Sequence, residues 1–173
     1  MIQSFLAFKF ANNVTNQLFG VFVIHSLHKI KIMTRVNVYL LFDGNCEEAF
    51  NFYKSAFKTE FAMLSRFNET PQQEGQPPVS EQDAEKILHV SLPIGDSQLM
   101  GSDGGSNWSK FHKQGNNFSV SVSVDERAEV DRLFAALSEG GQTDMPVQDT
   151  FWGEYFGMLT DKFGIKWMLG CRH

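Results

Sequence analysis

A histidine within an apolar run is the first residue of this sequence that could transfer a proton. His89 lies in Ile87–Leu92, which its β-forming residues predict to be a strand. On a strand, His89 shares a face with Ile87 and Ser91. An imidazole titrates near neutral pH, so His89 is a candidate general base if this face lines a cavity. The alternative is a buried neutral histidine hydrogen-bonded to the backbone.

A second candidate site is a short segment that combines amide, carboxylate and aromatic side chains. Its Trp152 and Tyr155 could stack on a flat ligand, and Gln148 or Asp149 could hold that ligand by hydrogen bonds. Asp149 is also, with His89, a candidate for proton transfer. The alternative is that Trp152 covers the core and Asp149 stabilises a turn.

Three further features of the sequence bear on chemistry. Trp108 lies in a predicted linker and could bind a ligand by closing a cavity, or lie at a dimer contact. Cys46 falls in the first turn of a predicted helix, where a thiol pKa can be lowered, but a structural thiol is the alternative. No glycine fingerprint for a dinucleotide or S-adenosylmethionine follows the first predicted strand, and no phosphate loop is present. The sequence therefore predicts no cofactor.

Composition excludes several classes of protein. The chain has 173 residues, 42% of them hydrophobic, and a net charge of −5. The acidic balance argues against nucleic-acid binding. The apolar stretch Leu18–Ile24 is too short to span a membrane, which needs about 20 residues. Cys46 and Cys171 have no ligand-pair spacing and predict a reduced, cytoplasmic protein.

The first part of the chain differs in charge from the rest. Residues 1–33 contain three lysines and no acid, whereas residues 34–173 contain 12 bases and 20 acids. We expect an N-terminal extension over residues 1–33, outside the fold, with an extra docked helix or strand as the alternative. Residues 34–173 are predicted to form a single domain.

The predicted elements of this domain repeat in the order β-α-β-β-β. Module one covers about residues 34–103, the linker about 104–117 and module two about 118–173. Asn45 and Glu48 resemble a capping box before the first helix. The predicted elements are, in chain order, strand 36–42, the helix after Asn45, strands 59–67, 87–93, 98–101 and 118–124, the helix after Asp125, and strands 145–147, 155–160 and 165–169.

Two such modules resemble the vicinal-oxygen-chelate superfamily of glyoxalases, bleomycin-resistance proteins and extradiol dioxygenases. The phrases VYLLFDGNCEEAFNFYKSAF, IGDSQLMGSD and MPVQDTFWGEYFGMLTDKFGIKWML are similar to its PhnB-like branch, often labelled 3-demethylubiquinone methyltransferase-like. The resemblance covers about residues 36–170. It implies an α+β fold in which two βαβββ modules form a curled mixed-sheet cup, closed around a cavity. It also implies a homodimer.

In metal-using members of the superfamily, ligands lie on the first and last strands of each module. The corresponding positions here, aligned to within one or two residues, are Val38, Met100, Ser119 and Met168. None of these side chains is a suitable ligand for a hard or borderline ion. We therefore expect no metal at the superfamily position.

Two functions are compatible with these observations. The first is a small-molecule binding protein of the bleomycin-resistance type, with an aromatic cup around a small organic ligand. The alternative is an enzyme of the same superfamily, a lyase, isomerase or dioxygenase-like protein with unusual or no metal ligation. A structural dimer partner has no positive support in the sequence, and no residue pattern supports methyl transfer.

Overall fold

The computed structural model describes residues 35–71, 78–105 and 112–172. The chain divides into residues 1–35 and residues 36–173, and the fold below is that of the second part. Trp108 and the expected extension of residues 1–33 lie outside the described residues, and the domain and linker boundaries remain predictions. No helix in the described ranges is long and apolar enough to cross a membrane.

Each half of the described fold contains one strand, one helix and then three strands, which confirms the α+β class and the two βαβββ modules. In both sheets the first strand pairs parallel to the fourth, and the other pairs are antiparallel. The strand orders are β1-β4-β3-β2 and β5-β8-β7-β6. The elements are β1 Val38–Phe42, α1 Cys46–Phe57, β2 Met63–Arg66, β3 Ile87–Ile94, β4 Ser97–Asp103, β5 Val120–Ser123, α2 Arg127–Leu137, β6 Gln142–Asp149, β7 Glu154–Thr160 and β8 Lys166–Arg172, with a 3₁₀ turn at Phe67–Glu69.

One side of each sheet is covered by the helix of its own module. Phe50 of α1 packs so closely on β4 that a Cβ atom at Gly101 would lie 2.5 Å from its ring. The second module repeats this contact, because a Cβ atom at Gly157 would lie 2.9 Å from the ring of Phe134 in α2. Glycine at these positions lets an aromatic side chain approach the sheet backbone.

The two modules contact each other through helix α1 and the second sheet. The Tyr53 hydroxyl of α1 donates to Asp161 at 2.8 Å, and its ring lies 5.3 Å from that of Trp167. Arg132 of α2 donates to the carbonyl of Ala56 at 2.8 Å. No strand pairing joins the two sheets in the described part of the chain. Within the described residues the two sheets are therefore not closed on each other by strand pairing, and helix packing joins the modules.

The start of helix α1 differs from the predicted capping box. The helix begins after Asn45 as expected, but the Asn45 side chain makes no capping hydrogen bond. Instead the buried carboxylate of Asp103, at the end of β4, accepts the N–H groups of Gly44 at 2.9 Å and Cys46 at 3.0 Å. It also accepts the N–H of Ile87 at 2.9 Å. A residue far away in sequence thus stabilises this helix N-terminus, which local spacing cannot reveal.

Candidate functional site

The side of the first sheet that faces away from α1 carries exposed apolar residues. Leu40 and Phe42 of β1 are buried against the helix, whereas Tyr39 and Leu41 between them are about half exposed. Successive residues of a strand face opposite sides, so Tyr39 and Leu41 lie on the uncovered side. Met63 of β2 is also about half exposed and pairs with Ser91 of β3. We call this surface the open face of the first sheet.

His89 lies on the open face, but it does not share that face with Ile87. Between Ser65 and Arg66 the register of β2 against β3 shifts, so that Ser65 pairs with His89 and Arg66 with Ile87. Leu88 is the additional residue of a β-bulge, which interrupts the alternation of side chains. Ile87 is consequently buried in the core, while His89 remains partly exposed.

The His89 side chain lies within hydrogen-bond distance of Tyr39. The Tyr39 hydroxyl lies 3.2 Å from Nδ1 of His89, and the two rings are 5.7 Å apart. If Nδ1 carries the proton, it donates to the tyrosine oxygen and Nε2 keeps a free lone pair, as a general base requires. If the tyrosine donates, Nε2 carries the proton and can donate to a ligand. The direction of the hydrogen bond with Tyr39 therefore determines whether Nε2 of His89 can accept or donate a hydrogen bond.

A depression of about 460 Å³ lies beside this pair, and its lining is mainly apolar. A second depression of about 680 Å³ adjoins it along β1. Tyr39, Leu41 and His112 line both of them. His112 is exposed. Each of the two depressions falls within the usual size range of small-molecule sites. The smaller one is lined by Tyr39, Leu41, Phe67, Leu88, Ser102, Asp103, Gly104, Gly105 and His112.

Gln148 and Trp152 lie at one end of the second sheet. Gln148 is exposed in β6 and pairs with Phe156 of β7. Trp152 is half exposed, stacks edge-on against Phe156 at 5.9 Å, and donates from Nε1 to Glu154 at 3.3 Å. Trp152 therefore does not cover the buried core, and its ring is available to a ligand or a partner.

Asp149 and Tyr155 lie on the opposite side of that sheet, next to helix α2. Arg127 at the start of α2 forms a two-point ion pair with Asp149 and lies 4.6 Å above the Tyr155 ring. The Tyr155 hydroxyl donates to Asp131 at 2.8 Å, and this hydrogen bond raises the pKa of Tyr155. These contacts favour a structural role for both residues, in which they hold α2 on its sheet.

The structure thus separates the predicted site residues into three groups. His89 is in the first sheet, Gln148 and Trp152 are in the second sheet, and Asp149 and Tyr155 face helix α2. Reasoning from the sequence overlooked Tyr39, although its place beside two core positions of a strand was a usable signal. Cys46 is buried, and this burial raises the pKa of its thiol, so it is not an activated nucleophile.

The positions carried over for metal ligands are displaced on the two first strands. Met100 pairs with Tyr39, not Val38, and Met168 pairs with Ser121, because Ser119 precedes β5. Val38 lies on the helix side, with Leu40. Among the described residues, no three His, Cys, Asp or Glu side chains come together in a way that could hold a metal ion. The absence of a metal remains a prediction.

Comparison with known proteins adds an independent line of argument. Residues 34–170 match a family described as 3-demethylubiquinone-9 3-methyltransferase. Protein YjdN of Escherichia coli (strain K12) is 30% identical over 136 residues, which cover 76% of this chain and 90% of YjdN. The crystal structure of PA1353 from Pseudomonas aeruginosa is 35% identical, with a TM-score of 0.68 over 81% of this chain and 98% of that one.

A more distant structure shares the fold alone. It is a glyoxalase/bleomycin resistance protein/dioxygenase family enzyme from Burkholderia phytofirmans PsJN, with 14% identity and a TM-score of 0.54. The match covers 79% of this chain and 97% of that enzyme. The fold is therefore that of the superfamily suggested by the sequence motifs.

Proposed function

Since the chain belongs to the family described as 3-demethylubiquinone-9 3-methyltransferase, the PhnB-like branch of the vicinal-oxygen-chelate superfamily, we propose that it binds a small organic molecule on the open face of its first sheet. The observation that carries this proposal is the apolar depression beside the Tyr39–His89 pair. Ligand sites typically combine an apolar lining with a few polar groups that fix orientation. Methyl transfer is not part of the proposal, because no cofactor fingerprint supports it.

The lining indicates the kind of molecule that fits. Leu41, Phe67 and Leu88 present apolar surface to a flat organic body. Tyr39 lines the depression and can donate or accept one hydrogen bond, and its partner His89 follows the lining residue Leu88 in β3. We therefore expect a planar, largely apolar ligand with at least one polar atom.

The test uses the aromatic fluorophore 1-anilinonaphthalene-8-sulfonate as a probe. Leu41→Asp places a charge in the depression and is expected to weaken binding of the probe at least about tenfold, or about 1.4 kcal/mol. The matched control is Val79→Asp, which charges an exposed apolar residue that does not line the depression. Equal affinities of the two variants for the probe would contradict the proposal.

Catalysis is the second candidate function, and the Tyr39–His89 contact is the observation that favours it. A histidine whose Nδ1 is held by a hydroxyl can use Nε2 as a general base. Its test is deuterium exchange from D₂O into the acidic C–H of carbonyl compounds that bind the protein. His89→Gln should stop the exchange without preventing binding, and exchange at the wild-type rate would exclude His89 as the base.

Two further properties belong to the same proposal. A homodimer is supported by the apolar residues that each chain exposes on its first sheet. A cytoplasmic location is supported by two unpaired cysteines, Cys46 and Cys171. The acidic net charge supports a small organic ligand over a nucleic acid.

A further inference from the structure

Three methionine side chains form one row across the second sheet. Strand pairing places Met145 of β6 opposite Met158 of β7, and Met158 opposite Met168 of β8. Side chains directly opposite each other on adjacent strands share a face, with Cβ atoms about 4.5–5.5 Å apart. The three thioethers therefore come from three different strands and are direct neighbours. We call these residues the methionine row.

The methionine row lies on the side of the sheet that helix α2 leaves uncovered. Leu159 and Leu169, the next residues along β7 and β8, are buried on the helix side. Because successive residues of a strand face opposite sides, Met158 and Met168 face away from the helix. All three methionines are only partly buried. Among the described apolar side chains that form the core or pack against it, none belongs to the row. Core packing therefore does not explain the row.

The charged side chains on the same side of the sheet bind one another. Lys166, two residues before Met168 on β8, donates to Asp144 at 3.2 Å. Towards the other end of the sheet, Arg172 donates to Glu154 at 3.1 Å. Each ion pair is neutral as a whole, so neither strongly repels a monovalent cation placed between them.

The chemistry of thioethers limits the kind of ion that fits the row. A thioether sulfur is a soft, uncharged ligand that suits Cu(I), whereas harder ions prefer carboxylate, carbonyl and water oxygens. Met168 is one of the four superfamily positions considered above, where its sulfur is unsuitable for a hard or borderline ion. Met145 and Met158 are not among those positions, and with Met168 they form a donor set of the opposite class. Methionine has three rotatable bonds, so the two outer side chains can bend towards the middle one.

We propose that the methionine row binds one soft monovalent metal ion of the Cu(I) class through its three thioethers. The site lies in one sheet of one chain and shares no residue with the depression on the first sheet, so it is independent of the function proposed above. The competing explanation is an adaptable apolar contact surface, which methionines also form. That explanation predicts no binding of a metal ion.

The first test observes the methionines directly by NMR. The full chain is isotopically labelled in its methionine ε-methyl groups, and silver nitrate is added in chloride-free buffer, with Ag(I) as an air-stable probe for the Cu(I) class. Of the seven methionines, those of the row should shift together and reach saturation at one equivalent of Ag(I). Single Met→Leu variants assign the signals. Shifts spread evenly over all the methionines, or no shift in the row at one equivalent, overturn the proposal.

The second test measures the affinity for Ag(I) by isothermal titration calorimetry. Met158→Leu removes the middle thioether and nearly keeps the side-chain volume, so the fold should be retained. Loss of an outer-shell partner already costs about 10–100-fold in metal affinity, so loss of a ligand should weaken Ag(I) binding at least about tenfold. The matched control is Met63→Leu, which removes a half-exposed methionine from the first sheet. Equal affinities of the two variants for Ag(I) overturn the proposal.

A pH series separates methionine from cysteine and histidine as the ligands. A thioether has no proton to release, so the affinity for Ag(I) should be the same at about pH 6 and about pH 8. A thiol or an imidazolium must lose its proton before it binds, and the thiols concerned are the buried Cys46 and Cys171. An affinity that rises at least about tenfold over this range assigns the ion to a thiol or an imidazole and overturns the proposal.

Discussion

The two sheets have the same topology but differ on the sides that their helices leave uncovered. The first exposes Tyr39, Leu41 and Met63, and its best-defined polar group is His89. The second instead carries polar groups that satisfy one another. Asp144 accepts from the Thr160 hydroxyl at 2.7 Å and from Lys166 at 3.2 Å, and Glu154 accepts from Arg172 at 3.1 Å. The difference supports the first sheet as the proposed ligand face, whereas on the second sheet these polar side chains already bind one another.

The helix-covered sides, by contrast, are closely alike. In each module a helix phenylalanine lies on a glycine of its sheet, Phe50 on Gly101 and Phe134 on Gly157. Substitutions on the helix-covered side test the packing that the two modules have in common. Substitutions on the uncovered side test the side chains in which the two sheets differ. The predictions below run from the largest expected effect to the smallest.

The largest loss of stability is expected at Asp161. Its buried carboxylate accepts from Tyr53, from Trp167 and from the N–H groups of Phe163 and Ile165, at 2.8–2.9 Å. Asp161→Ala leaves these donors buried without partners, which should cost about 3–5 kcal/mol in the free energy of unfolding. Urea unfolding checks this.

The control for that prediction is Asp161→Asn, which keeps one oxygen acceptor and should restore part of the loss. Asp103→Ala leaves three backbone N–H groups unpaired within module one and should cost less than Asp161→Ala, since Asp161 also binds Tyr53 across the modules. Equal stability of Asp161→Ala and the wild type would refute the assigned role.

The shared aromatic contact gives an intermediate effect. Alanine at Gly101 or at Gly157 overpacks the helix against its sheet and should cost about 1–3 kcal/mol. The cost should be greater at Gly101, because its Cβ would lie 2.5 Å from the Phe50 ring and 2.9 Å from the backbone oxygen of Leu40. At Gly157 the corresponding distances are 2.9 Å to the Phe134 ring and 3.1 Å to the Cα of Val147. Thermal unfolding of both variants measures this loss of stability. A greater loss for the Gly157 variant than for the Gly101 variant would contradict the prediction.

The smallest effect concerns the polar side of the second sheet and its response to acid. The Thr160 hydroxyl, and after it Lys166, holds the pKa of Asp144 below its ordinary value. The folded state therefore binds the proton less readily than the unfolded state. The stabilisation is present above the unfolded pKa of about 3.9 and is lost as the pH falls through the lower folded pKa.

The ion pair of Asp144 is partly exposed, so its contribution is expected to be below about 1 kcal/mol. Asp144→Asn should remove that part of the acid sensitivity and leave stability at pH 2 nearly unchanged. Unfolding curves for the wild type and variant at pH 7, 4 and 2 test this. If Asp144→Asn loses as much stability in acid as the wild type does, the acid sensitivity comes from other carboxylates.

Several features of the fold were predictable because they depend on short-range patterns. The alternation in FSVSVSV predicted the strand observed as Val120–Ser123, and the apolar spacing after Asn45 predicted α1. The strand predicted at 145–147 was too short, since β6 covers Gln142–Asp149 through two register shifts. Bulges of this kind depend on pairing with the partner strand, so the sequence of one strand does not predict them.

The candidate site was less predictable, because a shift of one residue reverses the face of a strand. Gln148 and Asp149 are neighbours in sequence, yet Asp149 reaches Arg127 of α2 while Gln148 pairs with Phe156 in the sheet. The bulge at Leu88 likewise separates His89 from Ile87. None of these placements follows from residue type.

The sequence by itself therefore determined the family, the order of elements and the identity of the groups that can do chemistry, since these follow from local periodicity and from side-chain type. Only the tertiary structure decided which groups meet. It paired His89 with Tyr39, placed Asp103 at the start of α1, and turned Asp149 and Tyr155 towards α2. The physical reason is that hydrogen bonds and packing between distant strands select the face on which each side chain lies, and those partners are brought together only when the chain folds.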